Sequence, residues 1–292
     1  MSGFGFASTA EDVSRGLDLR GRVYLLTGCN SGIGEETLRV LGLRGAEIIG
    51  LARTLEKGQA ALDRHGVPGT AVACELSDPA SVRAAVETVR GLDRRLAGVI
   101  ANAGIMALPE PRTTLGLDLQ LLTNHIGHFI LVNGLVDLLD EDGRVVVVSS
   151  GAHFMAPEIG VDFDNLSGER DYQPWRTYGQ SKLANLLMAK SLARRLGGRQ
   201  TANALHPGVI QTGLGRHLSD YDGVLDNIGR DKLKTIAQGA ATQVYLAVHP
   251  DLANQTGLYF DSCQVKEPSK AAQDEALAER LWTESEMIVA SL

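Results

Sequence analysis

Residues 145–148 are four consecutive valines inside GRVVVVSS (143–150). Successive side chains of a strand point to opposite faces, so an unbroken apolar run has to be covered on both sides. That is the environment of a strand within a parallel sheet clothed by helices. Similar short runs recur at RVYLLTG (22–28), AEIIGLA (46–52), TAVACEL (70–76), LAGVIAN (96–102), TANALHP (201–207) and GLYF (257–260). Between them lie segments with helical spacing of apolar residues, at 32–45, 55–64, 79–92, 114–139, 176–196, 235–248 and 270–290. Asp78 caps and Pro79 opens the third of these, since proline is pre-organised for a first helical turn. This alternation predicts one doubly wound α/β domain over residues 1–292, with a parallel sheet of about seven strands and helices on both faces.

Composition narrows the function. The chain is 44% hydrophobic but only 5% aromatic, so aliphatic side chains must build the core. A net charge of −7 and the lack of a basic stripe argue against a nucleic-acid partner. Cys29, Cys74 and Cys263 are odd in number and far apart, which suggests small buried hydrophobes and neither a disulfide framework nor a metal site. The N-terminal stretch carries Glu11, Asp12 and Arg15 and has no run of signal-peptide type. The most apolar later stretch, HFILVNGLVDLL (128–139), is broken by Asn133 and Asp137, so no stable membrane insertion is expected. The cytoplasm is the simplest compartment.

The first run ends in Thr27-Gly28-Cys29-Asn30-Ser31-Gly32-Ile33-Gly34 and passes directly into a helical segment. Gly28 permits a tight strand-to-helix turn, Gly32 lets a pyrophosphate approach the backbone, and Gly34 lets the helix pack on the sheet. The unpaired N–H groups of the helix start then face the phosphates. This Rossmann-type context makes the turn a dinucleotide site. At the end of the second run an acid would hold the adenosine ribose 2′-OH and repel a 2′-phosphate. Ala52 stands there and Arg53 follows, with Ser31 able to add a hydroxyl. A guanidinium grips phosphate, so NADP(H) is expected over NAD(H), which stays possible. Glu75 and Leu76 could sit near the adenine. Asn102, Ala103 and Gly104 end the fourth run with small residues that leave room for a ribose; either group could be purely structural.

Tyr178 and Lys182 are four residues apart in YGQSKLAN and share one helix face. An ammonium beside a phenol favours the phenolate, which would let Tyr178 exchange a proton with an alcohol or carbonyl oxygen near neutral pH.

Taken in order, TGCNSGIG, ANAG, Tyr178-Gly179-Gln180-Ser181-Lys182 and His206-Pro207-Gly208 with Thr212 resemble the short-chain dehydrogenase/reductase family over nearly the whole chain. TNHIGHF, YGQSKLAN, HPGVIQT and the C-terminal GLYFDSCQVKEPS are similar to its branch of retinol-dehydrogenase-like, protochlorophyllide-reductase-like and WW-domain-oxidoreductase-like members. The resemblance implies hydride transfer between a nicotinamide and a lipophilic aldehyde, ketone or alcohol. By the same resemblance, Tyr178 is the general acid or base and Lys182 lowers its pKa and holds the nicotinamide ribose. Ser150, in preference to Ser149, polarises the substrate oxygen, and Asn124 holds a water linking Lys182 to solvent. Pro207, Gly208, Val209 and Thr212 join the cofactor site. Departures include Ala101 for the first Asn of NNAG, Glu75 for the usual Asp, and no basic residue inside the glycine turn; the last weakens the case for NADP(H).

Two other functions stay open on the sequence: a C=C reductase on the same scaffold, and a dinucleotide-binding regulator without catalysis. The long segments 151–175 and 212–234 follow strand ends and are expected to form substrate loops. Within the first, Phe154, Met155, Tyr172 and Trp175 could line an apolar pocket or only fasten the loop. His125, His128 and His206 are expected to make structural hydrogen bonds. Leucines on more than one face of 176–196 fit either a homodimer or homotetramer seam or burial under another helix.

Overall fold

The computed structural model describes residues 3–210, 223, 226 and 229–292. Its main sheet has eight strands: β1 Val23–Thr27, β2 Glu47–Ala52, β3 Gly69–Ala73, β4 Leu96–Ala101, β5 Leu139–Val148, β6 Thr201–His206, β7 Tyr259–Asp261 and β8 Gln264–Val265. They run in the order β8-β7-β6-β5-β4-β1-β2-β3, and every pairing is parallel except β7 with β8. The order reverses between β1 and β4, and such a switch point opens a crevice at the carboxyl ends of the strands.

The helices are α1 Ala10–Val13, α2 Gly32–Leu43, α3 Leu55–His65, α4 Pro79–Gly91, α5 Leu119–Leu121, α6 Gly127–Asn133, α7 Pro174–Arg195, α8 Ile236–Val248, α9 Lys270–Gln273 and α10 Glu275–Ser291. They cover both faces, and β5 shows why its valines are continuous. Val145 and Val147 join the core under α4, α6, α7 and α10. Val146 and Val148 join the opposite core under α2, α3 and α8. Among the described residues no helix is long and apolar enough to cross a membrane. All three cysteines are free and buried.

Three expectations need correction. The sheet gains an eighth strand, because Ser262 and Cys263 both take positive φ (51° and 59°) and turn the chain back antiparallel. Paired positive-φ residues make the favoured hairpin turn, but it usually carries Asn or Gly and here it does not. The helix expected over 114–139 is shorter and broken. Leu115 (φ 55°) and Gly116 (φ 75°) form a turn between Thr113–Thr114 and Leu117–Asp118. Asp118 then accepts from the amides of Gln120 and Leu121 to start α5. A π-turn, Leu122–Ile126, separates α5 from α6, and residues from Leu139 onward are already strand. The last helix breaks at Asp274, whose side chain accepts from the Leu277 amide and caps α10.

The second apolar face of α7 lies under α10. Ser191 donates to the Ala278 carbonyl, Arg194 and Arg195 both reach Glu279, and the Arg195 guanidinium sits 4.1 Å over the Trp282 ring. Burial under another helix therefore accounts for those leucines. Most of the expected loop 212–234 lies outside the described residues.

Candidate active site

A cleft of about 810 Å³ opens at the switch point. That is the size of a pocket that encloses a large ligand. Its first wall is the glycine turn. Gly28 (φ +68°) and Gly32 (φ +55°) adopt the left-handed region, which a side chain disfavours. Gly34 is fixed by space: a Cβ there would lie 2.1 Å from the Gly28 carbonyl oxygen and 2.6 Å from Asn102 Nδ2. Ser31 caps α2 without a side-chain capping bond, so its hydroxyl is left to the cleft. Asn30, Ser31, Gly32, Ile33 and Gly34 all line the opening. The start of a 12-residue helix thus faces this cradle, with the positive end of its dipole toward it.

Arg53 lies just past β2, exposed on the same wall, with no ion pair among the described residues. Glu75 and Leu76 line the next stretch; one Glu75 oxygen is taken by the Ser77 amide and hydroxyl. Asn102 is held by its amide on Thr27 Oγ1 (2.9 Å) and its Nδ2 on the Thr27 carbonyl (2.8 Å). Its Oδ1 is buried beside the cleft with no partner among the described residues, an acceptor that a ligand donor could satisfy. Ala103, Gly104, Pro207, Gly208 and Val209 also line the cleft, whereas Thr212 lies outside the described residues. The glycine cradle, the unpaired guanidinium and the orphan amide oxygen fit a dinucleotide.

At the base of the cleft α7 presents Tyr178 and Lys182, both buried. Lys182 Nζ is 5.8 Å from the Tyr178 ring centre and donates to the Val148 carbonyl at 3.0 Å. Burial pushes the Tyr178 phenol up to about 12, opposed by a hydrogen bond with the Ser150 side chain. Burial also brings the Lys182 ammonium down to about 8. The expected lowering of the phenol by its neighbour is thus not seen: both groups are taken out of water, and desolvation disfavours each charged form.

Both serines border the cleft, but their hydroxyls are engaged differently. Ser149 is buried and donates to the Lys182 carbonyl at 2.7 Å. Ser150 faces the cleft beside Tyr178. Asn124 lies in the π-turn behind the lining, and its side chain makes three hydrogen bonds. Oδ1 accepts from the Ile105 amide, and Nδ2 donates to the Ile105 carbonyl and Ser181 Oγ. It clamps the loop after Gly104, and Oδ1 keeps a second lone pair beyond the bond from Ile105. A π-turn is an uncommon local form that recurs at functional sites.

His128 ties these parts together. Thr27 Oγ1 accepts from the amides of Asn102 and Ala103, so its proton goes to His128 Nε2 at 2.9 Å. His128 Nδ1–H then donates to the Asn124 carbonyl at 2.8 Å. The network fixes a neutral ring in one tautomer. His125 meets Ser285 Oγ, and His206 accepts from the Gly151 amide. Burial lowers His125 to about 3 and His128 and His206 to about 4. An unfolded chain protonates its histidines near 6.5, so stability present above that pH drains away as pH falls toward 4. For His128 the displacement is worth about 3 kcal/mol. Thermal melts should show a midpoint that falls steadily from pH 6.5 to 4.5 and a shallower fall in His128→Gln; a midpoint flat across that range would contradict the assignment.

Beyond Ser150 the cleft turns apolar, lined by Ile105, Met106, Leu108, Met155 and Trp175. Phe154 is 60% exposed and stacks on His153, and Tyr172 donates to the Leu108 carbonyl, so neither lines it. Ile105, Met106 and His153 carry no sequence signal of their own, although the first two follow Gly104 directly.

Comparison with known proteins agrees with this arrangement. A sequence model described as short chain dehydrogenase matches residues 22–163. The chain is 40% identical to the short-chain dehydrogenase TIC 32 B, chloroplastic, of Brassica napus, over all of this chain and 96% of that one. It is 35% identical to retinol dehydrogenase 14 of Mus musculus, over 94% of this chain and 87% of that one. A solved angucycline C-6 ketoreductase with bound NADP superposes with a TM-score of 0.68 at 27% identity, covering 84% of this chain and 95% of that one. With a glycine turn at the switch point of the sheet, a tyrosine and lysine one turn apart beneath it, and relatives matched end to end, the chain belongs to the short-chain dehydrogenase family of oxidoreductases.

Proposed function

We propose that the protein is an NADP(H)-dependent oxidoreductase that interconverts a lipophilic aldehyde or ketone with its alcohol. The observation that carries this reading is the convergence of the Tyr178 phenol, the Ser150 hydroxyl and the Lys182 ammonium at the floor of one cleft, between the glycine turn and an apolar wall.

When bound, the dinucleotide supplies or accepts the hydride. The backbone of residues 30–34 would hold its phosphates, Asn102 and Lys182 its riboses, and Pro207, Gly208 and Val209 would complete the cofactor side of the cleft. Tyr178 donates a proton to the substrate oxygen in reduction and takes it back in alcohol oxidation. A phenol raised to about 12 is fully protonated at neutral pH, the state needed for donation. Ser150 donates to the substrate oxygen and polarises the carbonyl. Ile105, Met106, Met155 and Trp175 bury the apolar part of the substrate and exclude water. The names of similar proteins, a retinol dehydrogenase and a ketoreductase with NADP, favour the same substrate class and cofactor. The cytoplasm remains the proposed compartment, and burial of α7 under α10 accounts for its leucines within one chain.

Oxidation of NADPH and of NADH against a panel of aliphatic, aromatic, retinoid and steroid carbonyls tests the reading. Turnover with lipophilic carbonyls and NADPH is expected; no turnover with any carbonyl would sink it. Arg53 supports the cofactor choice. Removing a charge-assisted contact costs about 1.5–3 kcal/mol, so Arg53→Ala should weaken NADPH binding by roughly 10- to 100-fold and leave NADH unaffected. Equal affinity for NADPH in both proteins would remove Arg53 from the site.

A further inference from the structure

The peptide between Ser150 and Gly151 is held at both ends by histidines. The Ser150 carbonyl accepts from His153 Nδ1–H at 2.6 Å and from the His153 backbone amide at 3.1 Å. On its other side, the Gly151 amide donates to His206 Nδ1 at 3.0 Å. A carbonyl can only accept and an amide can only donate, so the two rings hold opposite protonation at Nδ1. The second nitrogen of His153 is also assigned: Nε2 accepts from the Ser269 amide at 3.1 Å, just before α9. The His153 ring is fully buried, with Phe154 (centroids 4.1 Å) and Tyr259 (5.0 Å) against it.

We propose that His153 is a positioning residue: its Nδ1–H orients the Ser150 turn, and the Ser269 amide of the C-terminal segment locks the tautomer that makes this possible. This inference rests on the reading of Ser150 as the group that meets the substrate oxygen. Ser150 sits at an extended backbone position (φ −161°, ψ 157°) with its carbonyl and the following amide both pinned, so its hydroxyl has only χ1 to settle. The Ala152 amide donates to that hydroxyl at 3.1 Å, which leaves the hydroxyl's own proton free for another oxygen. An Nε2–H tautomer of His153 would set a donor against the Ser269 amide and a lone pair against the Ser150 carbonyl. Both contacts would fail together. Burial lowers His153 below the ordinary histidine range, in keeping with a neutral ring. The C-terminal segment is thereby coupled to the active-site floor at a second point, besides the packing of α10 on α7.

Two substitutions divide the roles. In His153→Asn the amide Nδ2 stands where Nδ1–H stood and can still donate to Ser150, but nothing reaches Ser269. In His153→Gln the side-chain oxygen reaches toward Ser269, but the Nδ1–H donor is lost and the Ser150 carbonyl keeps only the residue-153 amide. A misplacement of about 1 Å at a reacting group costs up to about 100-fold, so His153→Gln should lower kcat by roughly 10- to 100-fold with KM little changed. His153→Asn should keep kcat within about threefold of the parent, a cost well below that of misplacement. Hydrogen exchange at the Ser269 amide should speed up in His153→Asn and stay slow in His153→Gln. Equal loss of kcat in both variants, or loss in neither, would overturn the proposal. Ser150→Ala is the control for the reading beneath it: undiminished turnover there would remove Ser150 from the chemistry, whereas lost turnover there with both His153 variants unimpaired would overturn the positioning role alone.

Discussion

Replacing Tyr178 by phenylalanine is expected to lower kcat for carbonyl reduction by about 10²–10⁴-fold, the contribution of a positioned general acid. Affinity for NADPH should be unchanged, because the groups that line the glycine turn lie on other elements. Folding should survive as well. Tyr178 is only 3% exposed, and its ring packs edge-on to Trp175 at 6.1 Å, a contact phenylalanine retains. The lost hydroxyl leaves Ser150 with the Ala152 amide as a partner, so no buried group is orphaned. Stopped-flow turnover and fluorescence titration of NADPH separate the two effects. A variant with parental kcat would refute the proton-transfer role, and one that loses both turnover and NADPH binding would point to a structural collapse.

Gly34→Ala should have an effect of comparable size on binding. The added Cβ would collide with the Gly28 carbonyl oxygen at 2.1 Å and with Asn102 Nδ2 at 2.6 Å. Both partners are tied down: Gly28 donates its own amide to the Leu51 carbonyl, and Asn102 Nδ2 donates to the Thr27 carbonyl. Relief therefore requires α2 to lift from the turn, which opens the cradle that its N–H groups form. Overpacking of this kind costs about 1–3 kcal/mol in stability. Displacing the helix start from the phosphates by about 1 Å should weaken NADPH by at least 100-fold, by analogy with misplaced reacting groups. Calorimetry on the folded variant gives the answer; undiminished affinity would mean that the helix start does not bind the phosphates.

Much of this architecture was legible in the sequence, and the reason differs by element. The valines of β5 announce two-sided burial because side chains alternate along a strand, and they divide between two cores accordingly. Gly28, Gly32 and Gly34 were readable because each is demanded by a backbone constraint. Tyr178 and Lys182 were readable as neighbours because helix spacing fixes them. What escaped the sequence either lacks the usual local signal or depends on groups far apart in the chain. The β7–β8 hairpin turns on Ser262 and Cys263, which lack the usual turn chemistry. The break in 114–139 follows from Leu115 at positive φ and from a π-turn, neither of which alters apolar periodicity. The phenol at Tyr178 was expected to be depressed by Lys182; sequence spacing gave their proximity but not the burial that raises one and lowers the other. The engagement of Asn124 with Ile105 and Ser181 and of His153 with Ser150 and Ser269 requires the folded chain to bring those partners together.

The central claim is a hydride delivered to a carbonyl carbon in the cleft above Tyr178. NADPH deuterated at the transferred position of the nicotinamide, incubated with the protein and a lipophilic aldehyde that turns over, tests this through the mass spectrum of the product. A single deuterium on the carbinol carbon, absent with Tyr178→Phe, is the expected result. Deuterium at an alkene-derived carbon, or an alcohol formed equally fast without Tyr178, would contradict it.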